Sequence, residues 1–471
     1  MEVNYGILSI LPAVTAVALA FITKEATFSL LVACTVGVAI TGVGVFGTIT
    51  GLSGLLQRAM GNEDFIWVLL IEIFIGVLVA FFQVSGSTED LTKRLEGRVT
   101  SRAKVQLMGW LLGMFIFFSD YFSPLFVGPV MKSLTDKAKI SREKLAYICD
   151  STSAPVCVLV PFSSWGVYIS GLLVGMGPIL NSSQSMEVFV KSVFFNFYGI
   201  LAVVMVGLIA MGIIPEFGPM KKAEERAQKE GKVIADGASP MMGVELSELK
   251  RAPQIKTAHL FMNFLLPVII VIGVGVGSYF VLNSTKTLEA FMIAVIYLGI
   301  VLRIQGMPLI DIFKAAVQGI KGVVPAIIIL GLAYSINTVS KDLGAAKYVV
   351  GATSAWLTPR MLPAITFFIG AFMSFATGTS WGTYAIIMPI AVPLALQFSG
   401  NEVSTLVLTT IAAVAGGGVF GDHCSPLSDT TILSSFGAAS DHMDHVKTQL
   451  PYALSAATLA FVIYLVIGIA A

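Results

Sequence analysis

Apolar and polar positions alternate along this chain in long blocks. The pattern predicts helices that cross a membrane rather than an amphipathic globular core. Apolar runs near the ~20 residues that span a bilayer are expected at Gly6–Ile22, Phe28–Phe46 and Phe65–Phe82. A basic loop between Ser85 and Val105 follows, with Lys93, Arg94, Arg98, Arg102 and Lys104, and the positive-inside rule puts it in the cytoplasm. Residues 106–133 are apolar but interrupted by Ser119-Asp120-Tyr121-Phe122-Ser123-Pro124, and a second basic loop carries Lys132, Lys137, Lys139, Arg142 and Lys144. A full crossing would place one of these loops outside. A re-entrant hairpin over 106–133 is therefore expected, its tip at membrane depth. In 145–177, Asp150-Ser151-Thr152-Ser153-Ala154-Pro155 and Pro161 predict a helix unwound partway. Val188–Ile214 returns to the cytoplasm, closing a first half of 1–214, and 215–256, rich in Lys and Glu, reads as a cytoplasmic connector.

The second half, 257–471, follows the same plan. Ala258–Leu282 and Leu288–Leu302 read as spans, Arg303–Lys321 as a partly polar cytoplasmic piece and Val323–Ile336 as a span. A hairpin over 362–397 is interrupted at Thr377-Gly378-Thr379-Ser380-Trp381-Gly382-Thr383, and a broken helix over 403–435 follows. Asp441-His442-Met443-Asp444-His445 reads as a solvated cytoplasmic turn before a last span, Leu454–Ala470. Counting sides from the basic loops gives the halves opposite orientations. The expected fold is an all-α polytopic membrane protein, an inverted-topology repeat of about five spanning helices plus one re-entrant hairpin each, with broken helices, an arrangement characteristic of secondary transporters.

Composition narrows the class further. Hydrophobic residues make up 56%, charged residues 12% and mean hydropathy is +0.86, which excludes an ordinary soluble enzyme. A net charge of +1 gives no support to a nucleic-acid partner. Cys34, Cys149, Cys157 and Cys424 have no paired spacing, so neither a disulfide framework nor structural zinc is implied. The first apolar run lacks a basic flank and a small-residue cleavage site, and is expected to be a retained span.

The costliest stretch to bury is Gly421-Asp422-His423-Cys424-Ser425-Pro426-Leu427-Ser428-Asp429-Thr430-Thr431-Ile432-Leu433-Ser434-Ser435. Broken backbone at membrane depth persists only where protein or a water-filled cavity satisfies it, so this stretch is expected to wall a binding site. Asp120, Asp150, Asp422 and Asp429 are intramembrane carboxylates with no Lys or Arg in their segments. A charge at the bilayer centre costs about 2.5–3.5 kcal/mol, which leaves a cation, a proton, hydroxyls or helix N-termini to compensate. The candidate ligands for Na+ or H+ are Asp120, Asp150, Asp422, Asp429, Ser119, Ser153, Thr379, Ser380, Ser425 and Thr430, oxygen donors of the kind hard cations take. Ser123, Ser151, Thr152, Trp165, Thr377, Thr383, Trp381, His423, Ser428 and Thr431 are candidates to line a solute site. The bland alternatives are that Asp150 and Asp422 cap half-helices, that hydroxyls bond back to their own backbone, and that both tryptophans simply pack. No resident cofactor is implied.

The 421–435 stretch resembles the signature of the NhaC family of Na+/H+ antiporters, which also includes a malate-Na+/lactate-H+ exchanger and amino-acid carriers. The resemblance implies a scaffold domain that dimerises, a transport domain bearing two re-entrant hairpins, and residence in an inner or plasma membrane. It leaves two cargoes open: Na+/H+ antiport by alternating access, or Na+-coupled carriage of an amino acid or small organic acid. A channel and an intramembrane hydrolase fit less well. A pore does not need four carboxylates at separate breaks, and Asp422, His423 and Ser425 are too crowded for a triad.

Overall fold

The computed structural model describes residues 5–470 except 24, 43, 97–100, 118–119, 162, 244–248, 256–258, 283–285 and 354–357. Among the described residues helix is the only extended regular structure, as a bilayer that offers backbone groups no water requires. The first half comprises α1 (Leu11–Thr23), α2 (Ala26–Ile40), α3 (Gly44–Met60), α4 (Glu63–Val84), α5 (Ser87–Glu96), α6 (Arg102–Phe115), α7 (Phe122–Lys137), α8 (Arg142–Ser151), α9 (Ala154–Cys157), α10 (Ser164–Leu173), α11 (Ser182–Val193) and α12 (Phe197–Ala210). Helix α13 (Gly218–Glu230) lies in the connector. The second half holds α14 (Leu266–Leu282), α15 (Thr287–Ile304), α16 (Leu309–Asp342), α17 (Ala345–Thr353), α18 (Leu362–Thr377), α19 (Ser380–Phe398), α20 (Thr405–Cys424), α21 (Asp429–Gly437) and α22 (His442–Ala470).

By length and apolarity, seven helices among the described residues can cross a membrane. They become eight if α11 and α12, bent by 48° at their junction, count as one span. The order of elements recurs in the two halves: spanning helices, a two-helix hairpin (α6–α7, then α18–α19), a broken helix (α8–α10, then α20–α21) and a closing helix.

Several expectations need correction. The run Phe28–Phe46 is not one span: α2 ends at Ile40 and a separate α3 begins at Gly44. The basic stretch after Ser85 is not all loop, since Ser87–Glu96 is helical. Residues 303–336 are not a polar piece followed by a span, because Leu309–Asp342 is one helix of 34 residues, about 51 Å long at 1.5 Å per residue. Its polar positions Lys314, Gln318 and Lys321 carry no turn chemistry, and polarity alone does not stop a helix. The connector is partly built in: Met220, Ala223, Glu224 and Ala227 on α13 are buried, and Arg102 and the Ser141 N–H both engage the Glu224 carboxylate. Finally, His442 and His445 are buried in the first turns of α22 and not on a solvated turn.

Apolar packing divides into two main clusters. One joins α1–α4, α6–α8 and α14–α16 with α21; the other joins α9–α12 with α18–α20 and α22. The helix breaks meet along the seam between them.

Candidate functional site

The site is built from two interruptions that hold one another. Helix α18 stops at Gly378, whose φ of +71° is open to glycine at little cost, and Thr379 caps α19 by accepting the Gly382 N–H. Helix α20 stops at Cys424, and Ser425–Ser428 runs on in non-helical backbone before α21 begins at Asp429. A Cβ on Gly378 would stand 2.3 Å from the Leu427 carbonyl oxygen, so the hairpin tip lies directly on the break. Ser425 Oγ donates to the Phe375 carbonyl at 2.6 Å and accepts the Leu427 N–H at 3.1 Å. Backbone left open by Pro426 is thereby satisfied inside the protein, as membrane depth demands.

Asp422 sits in the last turn of α20, not at an N-cap. Its carboxylate is 2% exposed and accepts two hydroxyls, Ser380 Oγ at 2.9 Å and Ser428 Oγ at 2.5 Å. Its own carbonyl accepts Thr431 Oγ1 at 2.8 Å and, more weakly, Thr430 Oγ1 at 3.3 Å. Asp429 opens α21; it takes the Thr430 N–H at 2.8 Å and the Tyr121 hydroxyl at 2.7 Å. Neutral donors orient both carboxylates without cancelling their charge. Among the described residues no Lys or Arg pairs with Asp120, Asp422 or Asp429.

These three aspartates line one cavity of about 610 Å³, with Thr377, Thr379, Ser380 and Trp381 of the second hairpin and Tyr121 of the first. Trp67 of α4 and Tyr334 and Asn337 of α16 form the facing wall. The cavity extends to Thr287 and Lys341, at the ends of α15 and α16 remote from the basic loops. The exposed Lys341 is a cation at this rim that the sequence reading did not pick out. A second omission is Glu72 on α4, 1% exposed, with neither carboxylate oxygen hydrogen-bonded. The signal was available, because Glu72 is the lone charge inside the expected span Phe65–Phe82.

Other candidates lie elsewhere. Asp150 is in the last turn of α8, away from the cavity lining. It accepts His445 Nε2 at 3.1 Å and Gln449 Nε2 at 2.9 Å, while the Ser153 hydroxyl donates to its carbonyl at 3.0 Å. His423 is bridged between Ser151 Oγ at 2.8 Å and the Tyr198 hydroxyl at 2.7 Å, and points away from the Asp422 carboxylate's partners. Thr152, Thr377 and Thr383 donate to carbonyls of their own helical turns, the bland role for a membrane hydroxyl. Ser123 lies 3.5 Å from Thr152 Oγ1. Trp165 is buried edge-on against Trp381 and Tyr384, and of the two tryptophans Trp381 is the one lining the cavity. Ser119 lies outside the described residues.

Comparison with known proteins gives the family. The profile of the Na+/H+ antiporter family matches residues 156–469, a stretch that includes the second hairpin and both halves of the broken helix. The chain belongs to that family, whose members are transporters and not enzymes, and it is a multi-pass protein of the plasma membrane. An uncharacterized protein of Haemophilus influenzae is 31% identical over 99% of this chain and 92% of its own length. The malate-2H(+)/Na(+)-lactate antiporter of Bacillus subtilis is 29% identical over 34% of this chain and 33% of its own length. The solved YdaH transporter of Alcanivorax borkumensis covers 90% of this chain and 89% of its own at 13% identity, with a TM-score of 0.38.

Proposed function

We propose that this member of the Na+/H+ antiporter family exchanges Na+ for H+ by alternating access, with Asp422 at the centre of the cation site. The observation that carries the reading is a buried carboxylate at a helix break, oriented by two serine hydroxyls and paired with no Lys or Arg among the described residues. Asp120 and Asp429 border the same cavity. A bound Na+ neutralises such a site in one state and a proton in the other. Carboxylate, hydroxyl and carbonyl oxygens suit a hard cation, and Thr379, Ser380, Ser428 and Thr430 stand around it. The seam between the two apolar clusters is where one body would move against the other, exposing the site first to the Lys341 rim and then to the basic face.

One observation favours a second reading. A cavity of about 610 Å³ walled by Trp67, Tyr121, Tyr168, Tyr334 and Trp381 is far larger than a bare ion needs and falls in the range of small-molecule sites. It would suit a small organic solute carried with the ion, its carboxylate toward Lys341 and its remaining polar groups toward the aspartates.

Reconstituted protein in liposomes holding a pH dye separates the two. An imposed proton gradient should be dissipated by external NaCl alone. Where Na+ and H+ compete for one site, the apparent KM for Na+ should rise as pH falls, approaching about tenfold per unit where the empty site is mostly protonated. Absence of any response to NaCl, with recovery only when an amino acid or organic acid is added, would replace plain cation exchange by the second reading.

A further inference from the structure

A second cavity, of about 480 Å³, lies on the face that carries the basic loops. Lys132, Lys137, Lys250 and Arg251 line it, with the hydroxyl residues Thr88 and Ser133, and no carboxylate is among the described lining residues. Among the described residues, Lys132, Lys250 and Arg251 enter no ion pair. The Lys132 ammonium donates to the Met242 thioether at 3.9 Å. Asp136, one turn further along α7, is instead gripped by Arg142 through Nε at 3.3 Å and Nη2 at 3.1 Å.

Arg251 is held in place. Its stem occupies the notch left by Gly86, where a Cβ would stand 2.6 Å from Arg251 Cδ. Its Nε donates to the Ile255 carbonyl at 2.7 Å, and the next residue, Ala252, docks its N–H on the Val84 carbonyl at 2.8 Å. Fixed in this way, Arg251 keeps Nη2 buried without a hydrogen-bond partner. A buried guanidinium nitrogen left unmatched is unfavourable, and a planar fork beside ammonium groups matches the oxygens of a phosphate group.

We propose that this cavity binds a phosphate-bearing anion, clasped by Arg251 and Lys132 with Lys250 at its edge. The cavity shares Gln83, Thr88 and Pro129 with a narrow apolar seam lined by Phe82, Leu125, Phe126, Phe264 and Phe291. Basic pockets at the cytoplasmic boundary of membrane helices are suited to anionic lipid headgroups, and the seam offers an acyl chain a path inward. A free phosphate presents the same chemistry without the chain. Occupancy would bridge α7 of the first hairpin to the C-terminal end of α4, so the ligand is placed to affect how the hairpin moves.

The test uses full-length protein in uncharged detergent. Native mass spectrometry counts phosphatidylglycerol and phosphatidylcholine retained from an equimolar mixture, and calorimetry measures inorganic phosphate. Phosphatidylglycerol should be retained about tenfold over phosphatidylcholine. Arg251→Gln combined with Lys132→Gln should abolish that preference, Lys250→Gln should weaken it, and Lys104→Gln, on the same face but outside the cavity, should leave it unchanged. Phosphate binding with the same pattern across the variants would support the site and assign it to a soluble anion. The proposal is overturned if neither probe binds, or if Lys104→Gln matters as much as the cavity variants. It is also overturned if binding emerges only after Glu245 and Glu248, in the stretch between Met242 and Leu249, are changed to Gln. A thermal midpoint kept by the single Lys250→Gln variant guards against reading misfolding as lost affinity.

Discussion

Asp422→Asn is the perturbation that tests the proposed site most directly, because it removes a charge while keeping the shape. The two hydroxyls that now donate to the carboxylate, Ser380 at 2.9 Å and Ser428 at 2.5 Å, can each donate or accept. An amide in the same position can therefore keep both contacts by turning one hydroxyl around. The structural cost should be about 1 kcal/mol, the ordinary worth of one hydrogen bond. The cost to a bound cation is larger: two unit charges about 4 Å apart at an effective dielectric of about 20 interact by about 4 kcal/mol. At 1.4 kcal/mol per tenfold, that is nearly a thousandfold in Na+ affinity. Asp120 and Asp429 border the same cavity and keep some attraction, so the expected rise in the apparent KM for Na+ is between about thirtyfold and a thousandfold. The assay is Na+-driven pH recovery in liposomes across a range of NaCl, alongside thermal unfolding of the purified variant. Asp422→Glu retains the charge and should lose less. A variant that unfolds normally and keeps its Na+ KM within about threefold would show that no cation sits against Asp422, and the reasoning would fail at its centre.

Three further outcomes follow from the same geometry. Ser380→Ala removes one charge-assisted hydrogen bond from Asp422, so its apparent KM for Na+ should rise about tenfold, at the low end of what such bonds contribute, while its thermal midpoint stays near wild type. Gly378→Ala meets both a positive φ and the Leu427 carbonyl 2.3 Å away; it should cost at least about 2 kcal/mol and transport with it, seen as a lowered unfolding midpoint. Glu72→Leu deletes a buried carboxyl with no partner, so stability should rise by about 1–3 kcal/mol while Na+-driven proton flux falls. A variant that is more stable and fully active would assign Glu72 no part in transport.

What the sequence disclosed, and what it hid, follows from the range of the interactions involved. The helix break at Ser425-Pro426-Leu427-Ser428 and the hairpin tip at Gly378 were legible because proline, glycine and hydroxyl-rich runs act on their own backbone. That Ser380 would meet Asp422, 42 positions away, followed only loosely, from both being polar in oily segments. The partners of Asp150 were illegible: His445 and Gln449 lie 295 and 299 positions along the chain, and His445 looked like part of a solvated turn. The polar residues between Arg303 and Lys321 resembled a separate cytoplasmic piece because polarity lowers local hydropathy without supplying anything that ends the helix Leu309–Asp342. Glu72 was overlooked for the opposite reason, since one charge barely lowers the average of an apolar run.

The contrast between Asp150 and Asp422 shows why similar local sequence does not fix role. Both precede a serine by three positions, Ser153 and Ser425, and both lie in the last turn of a half-helix. Both are buried, at 0% and 2% exposure, so each must be compensated. Asp150 finds its partners within the fold: an imidazole and an amide both bond to one of its oxygens. Among the described residues Asp422 receives two hydroxyls, which orient a carboxylate but carry no charge to set against it. In the proposed exchange its neutralisation comes from an ion that enters the cavity. A buried negative charge that the protein aims but does not cancel is what an exchanger needs, since a site already neutral would have no reason to take up either ion, and one paired with a fixed arginine would release neither.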